Sequence, residues 1–175
     1  RPAMTNEQAV RRYVRAPARF CHASRASLLV DSQAYTEMLG AIDSARSSVD
    51  LETYILRNDL TGRRFQRALL AAAKRGVSVR LLYDWVGGLG LGGRFIGEML
   101  EAGIQVSVYR PLVLGASLRM LDKRDHRKIL IVDRHVSFTG GLNIADDYIP
   151  LAEGGRGWRD THVRIEGDEV AYRLG

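Results

Sequence analysis

The stretch His126-Arg127-Lys128-Ile129-Leu130-Ile131-Val132-Asp133 decides how this chain is read. Four consecutive apolar residues, mostly β-branched, describe a strand buried on both faces and therefore central in a sheet. A histidine two positions before a lysine, at the start of that strand, puts both side chains on one face. The buried strand behind holds them rigid, so an imidazole and an ammonium can reach one phosphate. The imidazole is a nucleophile for phosphorus, and the fixed cation balances charge on the equatorial oxygens. Asp133 closes the strand with a carboxylate at its far end. After six intervening residues comes Gly140-Gly141-Leu142-Asn143, where glycines let backbone N–H groups approach an anion and an asparagine amide adds a donor. A lone His-x-Lys-x4-Asp is commonly a solvated strand edge; the full string through Gly-Gly-x-Asn is far rarer by chance.

Working outward, short apolar runs alternate with helical periodicity. Residues 26–30, 49–56, 77–83 and 104–109 read as strands, the second carrying Glu52 in its middle. Between them, residues 34–47 space Tyr35, Met38, Leu39 and Ile42 as an amphipathic helix. Thr61 is placed to cap a helix that runs to Arg75 and stops at Gly76, and residues 94–102 form another helix that stops at Gly103. Beyond Pro111 the texture changes: residues 111–125 are irregular and end in Asp122-Lys123-Arg124-Asp125. Arg134-His135 then turns into a partner strand at 136–139, residues 153–157 make a polar surface loop, and 161–166 are the last strand. Residues 169–174 read as the opening of a helix, which is the mark of a fragment or of a half whose partner lies elsewhere. Strands alternating with helices predict an α/β layered fold: a mixed, mostly parallel sheet flanked by helices.

The 175 residues suffice for one domain with a real core, here assigned to 26–175 behind a basic lead-in over 1–25. That lead-in holds six arginines (1, 11, 12, 15, 19 and 25) against one acid, Glu7. It suits an anionic lipid surface or nucleic acid, and equally a solvated arm. The net charge is +6, and of 26 basic residues only Lys74, Lys123 and Lys128 are lysine. Arginine forks fit phosphate, although codon bias explains such an excess as readily. Where lysine survives in this background, a specific need for it gains weight. No apolar run approaches the roughly 20 residues of a membrane-spanning helix. Cys21 is the only cysteine, so neither an internal disulfide nor a cysteine zinc site is available, and a reducing compartment fits.

The motif resembles the signature of the phospholipase D superfamily, and within it the chain is most similar to bacterial cardiolipin synthases. The similarity includes Leu51-Glu-Thr-Tyr-Ile-Leu, Ala72-Ala-Lys-Arg-Gly-Val-Ser-Val-Arg-Leu-Leu-Tyr-Asp84, Arg124-Asp-His-Arg-Lys-Ile, Gly140-Gly-Leu-Asn-Ile144 and Trp158-Arg-Asp160. These segments span nearly the whole chain from residue 26. The resemblance implies a phospholipase D-like fold and a two-step reaction without metal or other cofactor. One histidine attacks phosphorus to form a phosphohistidine, a second protonates the leaving alcohol, and an acceptor then takes the phosphoryl group. In cardiolipin synthases that is phosphatidyl transfer between phospholipids, making cardiolipin from phosphatidylglycerol. The implied partners are an anionic phospholipid and a second His-x-Lys-x4-Asp half. The implied location is cytoplasmic, peripheral at the inner cell membrane.

One departure stands out. His22, His135 and His162 lack a lysine two positions on, so the chain holds a single motif. The second must come from a missing half of the parent chain or from a homodimer, and an isolated half is expected to be nearly inactive. His126, Lys128 and Asp133 are the expected catalytic residues, with Asn143, Gly141, Asp160 and Glu52 in support and no metal. Asp160, in Trp158-Arg-Asp, is favoured as the carboxylate that orients His126. Asp133 either helps across the pseudo-dimer or braces the strand. Glu52 either points into the site beside an arginine or lysine, or forms a structural ion pair. Gly88-Leu-Gly90-Leu-Gly92-Gly93 formally matches a dinucleotide fingerprint, but no acid follows the next strand, so a loop at the substrate entrance is the better reading. The apolar run 112–118 suits contact with lipid tails or an ordinary buried loop. Alternative functions are a homodimeric phosphodiesterase or nuclease, a phospholipase D hydrolase, and a non-catalytic binding half.

Overall fold

The computed structural model describes residues 23–111 and 124–175. The basic lead-in through His22, the apolar run 112–118 and Asp122-Lys123 lie outside the described residues. In chain order the elements are β1 (Arg25–Val30), α1 (Gln33–Ser44), β2 (Ser48–Thr53), α2 (Leu60–Lys74), β3 (Ser78–Asp84) and α3 (Gly93–Glu101). They continue with β4 (Gln105–Tyr109), β5 (Ile129–Val132), β6 (Val136–Gly140), β7 (Thr161–Glu166) and α4 (Asp168–Leu174). Two short 3-10 turns, Asp146–Tyr148 and Leu151–Glu153, lie between β6 and β7.

All seven strands form one sheet in the order β1-β7-β6-β5-β2-β3-β4. The α/β fold with flanking helices is as expected, but the sheet is not mostly parallel. Only β2–β3 and β3–β4 run parallel; β1–β7, β7–β6, β6–β5 and β5–β2 are antiparallel. Helical crossovers go with parallel pairing, and among the described residues they join β2 to β3 and β3 to β4. From β5 the chain returns by a tight hairpin. Asp133 and Arg134 both have positive φ (52° and 54°), and His135 N–H donates to the Val132 carbonyl at 3.0 Å. Two central residues of positive φ make a type I′ turn, whose twist matches antiparallel strands. The turn therefore sits at Asp133-Arg134, one residue before its expected place.

The helix at 60–74 is capped by Asp59, which accepts from Gly62 N–H at 2.8 Å, and not by Thr61, which is buried inside the first turn. Its apolar face, with Phe65 and Leu69, packs with α1 and α3 over one side of the sheet. On that side lie Val49, Leu51, Val79, Leu81, Leu130 and Phe138. The opposite side of β5 is covered by α4, where Ile129 and Ile131 meet Ala171 and Leu174. All four residues of β5 are buried, so the strand that follows the motif is clamped from both faces. Burial of each such side chain stabilises by roughly 1.5–3 kcal/mol. No helix among the described residues is long and apolar enough to cross a membrane.

The register gathers the motif at one edge of the sheet. β2, β3 and β4 end there, β6 ends there at Gly140, and β5 and β7 begin there. The edge thus collects Tyr54, Trp85, Lys128, Gly141 and Asp160 from five separate parts of the sequence.

Candidate active site

His126 and Lys128 leave the chain just before β5, on the side of the strand that Leu130 and Val132 bury. Antiparallel pairing of Glu52 with Ile129 brings the end of β2 alongside. The Tyr54 ring consequently lies against His126, with centroids 4.1 Å apart and planes 19° from parallel. A face-on stack leaves both ring nitrogens at the open edges of the imidazole. Lys128 Nζ donates to the His126 carbonyl at 2.7 Å and sits 5.4 Å from the same tyrosine ring. Its partial burial lowers the ammonium pKa, an effect opposed by the carboxylates of Asp160 and Asp125. Tyr54 was not singled out from sequence; its role follows from strand register, which periodicity does not report.

Asp160 stands at the start of β7 and accepts from Thr161 N–H at 2.7 Å. Gly141 is what admits it, because a Cβ there would overlap the Asp160 carboxylate. The Gly141 N–H is already committed to the Thr161 carbonyl at 3.0 Å, and Leu142 N–H donates to His162 Nδ1 at 3.3 Å. The glycine pair therefore supplies room for a carboxylate, where the sequence suggested free amides for an anion. Gly140 serves the same close approach, since a side chain there would strike Thr161 and the His162 ring.

Asn143 is buried and its amide is used on both ends. Oδ1 accepts from Ile55 N–H at 3.0 Å, and Nδ2 donates to the Tyr148 hydroxyl at 2.9 Å. Because Ile55 follows Tyr54, Asn143 fixes the backbone that carries the ring under His126. Its main-chain carbonyl accepts from the buried Tyr35 hydroxyl, which ties the loop to the helical layer.

Asp133 does not join this edge. It takes N–H bonds from Arg46, Ser47 and Ser48 and one from the Ser47 hydroxyl, all at the start of β2. Tyr54 and His126 lie past the other end of that strand, roughly 17–20 Å away. Partial burial alone would raise the pKa of this carboxyl, but the four donors outweigh it and hold the group at about 2. These bonds tie the β5–β6 hairpin to the start of β2.

Glu52 likewise points to the sheet face opposite the His126 side. Its Oε1 lies 2.9 Å from Arg127 Nη2, an ion-pair approach without hydrogen-bond alignment. Burial, then a hydrogen bond and repulsion from Asp125, push the Glu52 carboxyl up to about 7. Burial also acts to raise Asp125, but its bonds with Glu52 and Arg127 outweigh that and hold it low. The two carboxyl groups thus come to share one proton as pH falls through about 7. Asp84, fully buried at the end of β3, accepts from Asp125 N–H at 3.2 Å and Val86 N–H at 2.9 Å and lies 3.4 Å from Arg124 Nη1. Asp84, Glu52 and Asp125 together fasten residues 124–127, and so the backbone from which His126 projects.

The other histidines stand apart. His135 is at the far edge, bonded to Asp168 at 2.6 Å. His162 is buried, and that burial pushes its pKa down to about 4, so it stays neutral with Nδ1 accepting and the proton on Nε2. The Gly88–Gly93 loop is pinned by buried Leu91, whose carbonyl accepts from Asn58 Nδ2 at 3.1 Å. Its outer part, with Tyr54, Arg57 and Leu89, lines a cleft of about 480 Å³ beside the stacked rings. Among the described residues no group of three or more His, Cys, Asp or Glu side chains is arranged to hold a metal ion.

Residues 38–174 match the family described as cardiolipin synthase, PLD-like domain. Cardiolipin synthase 1 of Bacillus cereus is 40% identical over 142 residues, 81% of this chain and 28% of that protein. The major cardiolipin synthase of Bacillus subtilis is 38% identical over 136 residues, 78% of this chain and 28% of its own length. The chain therefore spans under a third of these relatives. Among solved structures, the phospholipase D family member Nuc from Salmonella typhimurium superposes with a TM-score of 0.63. It is 24% identical, with 86% of this chain and 90% of that chain covered.

Proposed function

The chain belongs to the family of cardiolipin synthase phospholipase D-like domains, and from that premise we propose that it is one catalytic half of a phosphatidyltransferase. The reaction is transfer of a phosphatidyl group between phospholipids, with cardiolipin formed from phosphatidylglycerol. The observation that supports this reading is the stack of His126 on Tyr54 with Lys128 Nζ beside the same ring, which gathers an imidazole and a cation at one edge of the sheet.

One histidine of a catalytic pair attacks phosphorus, a P–N bond forms, and the bond to the leaving glycerol oxygen breaks. The partner histidine gives that oxygen a proton. It then takes the proton of the acceptor hydroxyl, which attacks phosphorus and releases the first imidazole. Lys128 offsets charge on the equatorial oxygens throughout. Asp160 is the carboxylate of the same half that orients His126, and no metal or other cofactor takes part.

His135 lies at the wrong edge and His162 is buried and neutral, so among the described residues His126 has no partner for this chemistry. The second histidine comes from another His-x-Lys-x4-Asp half, in the same parent chain or in a second copy. The working location is the cytoplasmic face of the membrane, as a peripheral protein on anionic lipid.

The test is thin-layer analysis of labelled phosphatidylglycerol in detergent micelles, with the chain alone and joined to its second half. Cardiolipin and glycerol are expected from the paired form. The net charge of +6 suits a nucleic-acid substrate as well as anionic lipid, which makes phosphodiester hydrolysis by a homodimer the second reading. DNA cleavage without cardiolipin would establish that reading and remove the first.

A further inference from the structure

Seven large apolar side chains are exposed among the described residues, and four of them stand on the edge that carries His126. They are Leu60 at the start of α2, Leu89 after β3, and Leu151 and Trp158 between β6 and β7. Their exposures are 75%, 60%, 75% and 49%. They form one continuous rim. Leu89 and Arg57 line the cleft that Tyr54 floors. Arg57 and Arg156 both pair with Asp147, at 3.4 and 3.2 Å. Trp158 N–H donates to the Asp147 carbonyl at 2.9 Å, and its ring meets Tyr148 edge-on at 5.9 Å. Leu60 shares a second cleft with Arg64, Arg67 and Gly154, which follows the turn of Leu151.

The charges on this rim are layered. Asp147 is 5% exposed, whereas its partners Arg57 and Arg156 are 45% and 66% exposed. Arg159 is 79% exposed over Asp31 at 29%. Asp59 and Asp146 turn inward to the N–H groups of Gly62, Leu60 and Thr61, leaving Glu153 as an exposed acid. Guanidinium heads therefore face out among bare leucines, with a tryptophan between them. Leucines exposed to this extent cost free energy in water, and arginine and tryptophan favour the zone where headgroups meet acyl chains.

We propose that this rim is the surface by which the chain docks on an anionic phospholipid bilayer. Leu60, Leu89, Leu151 and Trp158 enter the boundary between headgroups and acyl chains, and Arg57, Arg156 and Arg159 meet lipid phosphates. The proposal rests on the lipid reading of the same site. Docked in this way, His126 faces the headgroup layer, and a phosphodiester reaches it without its lipid leaving the bilayer.

Trp85 is the only other tryptophan, so Trp85→Phe isolates the Trp158 signal. Vesicles of phosphatidylglycerol in phosphatidylcholine, with and without brominated acyl chains, are titrated onto the native chain and onto this variant. A blue shift and bromine quenching of Trp158 are expected, growing with the phosphatidylglycerol fraction. Leu60→Ser with Leu151→Ser, and separately Arg57→Gln with Arg156→Gln, should weaken partitioning about tenfold. Absence of binding, or binding that leaves Trp158 unmoved, overturns the proposal, as does binding indifferent to both variant pairs. Deletion of residues 1–22 separates the rim from the basic arm: loss of all binding with an unshifted Trp158 assigns docking to the arm. Quenching in the unmutated rim keeps the test valid if a leucine variant misfolds. Transfer in detergent micelles needs no docking, so transfer without rim binding defeats the surface alone, and rim binding without transfer defeats the chemistry alone.

Discussion

The rings of Tyr54 and His126 lie face to face, 4.1 Å apart, although 72 positions of sequence separate them. β2 delivers one and the approach to β5 delivers the other, and the antiparallel pairing of those strands sets the distance. The face of the tyrosine ring holds the imidazole against it, so the stack bears on the position of His126. Tyr54→Phe keeps the face and should retain at least half of the activity of the paired enzyme. Tyr54→Leu should lower kcat roughly 10–100-fold with little change in KM. An unchanged kcat in Tyr54→Leu would reduce Tyr54 to packing.

His126→Ala should abolish turnover, leaving no more than about a 10⁻³ fraction, since an alanine can neither attack phosphorus nor exchange a proton. Lys128→Arg should also damage the paired enzyme. The ammonium is half-buried between the His126 carbonyl and the Tyr54 ring, and a planar guanidinium is wider than that space. EDTA should leave the rate unchanged. Full activity in Lys128→Arg, or strong inhibition by EDTA, would contradict the assigned chemistry.

Glu52 provides a dependence on pH in the range 5 to 8. Its folded pKa is raised from 4.5 to about 7, so the folded state binds the proton more tightly than the unfolded state does. The associated stability is fully present below about 4.5 and is lost as pH rises through about 7. Thermal melts of the native chain should therefore show a falling Tm between pH 5 and 8. Glu52→Gln, which keeps a neutral partner for Asp125, should flatten that slope and melt higher than the native chain at pH 8. Parallel profiles for the two proteins would remove the shared proton.

Much of this architecture was legible in the residues. The apolar run set the limits of β5, and the spacing of His126 and Lys128 placed both on one side of it. The direction of the sheet was not legible, because nothing local says that β5 runs antiparallel to β2. The helix cap was misread for a similar reason: Asp59 and Thr61 both carry a suitable oxygen, and only the position of the first turn chooses between them. The motif points to Asn143 and Gly141, but not to the neighbours that surround them. Whether an amide or a glycine N–H meets a phosphate or a neighbouring strand depends on the partner across the sheet.

Asp133 shows how a motif residue can act through the fold. Its φ of 52° is tolerated by Asp and Asn better than by most residues, and its carboxylate holds three backbone donors of the β2 approach. Asp133→Ala should cost about 1–3 kcal/mol in urea unfolding, because it strands those donors and strains the turn. Activity per folded molecule of the paired enzyme should stay within about twofold, a bound that a structural role at the far edge implies. Loss of turnover in fully folded Asp133→Ala protein would restore it to the catalytic group.

Gly141 and Asp160 offer the sharpest separation of room from chemistry. A methyl group at Gly141 would overlap the Asp160 carboxylate, whose charge favours the Lys128 ammonium. Gly141→Ala should therefore displace that carboxylate and lower turnover of the paired enzyme by roughly 10–100-fold, while phosphatidylglycerol KM changes little. Asp160→Asn leaves the backbone in place and removes the charge that favours the Lys128 ammonium, so it should lower turnover comparably. If the two act through one carboxylate, the double variant should be about as slow as the worse single variant. A double variant whose rate loss is the product of the two single losses would show that glycine and aspartate serve the site independently.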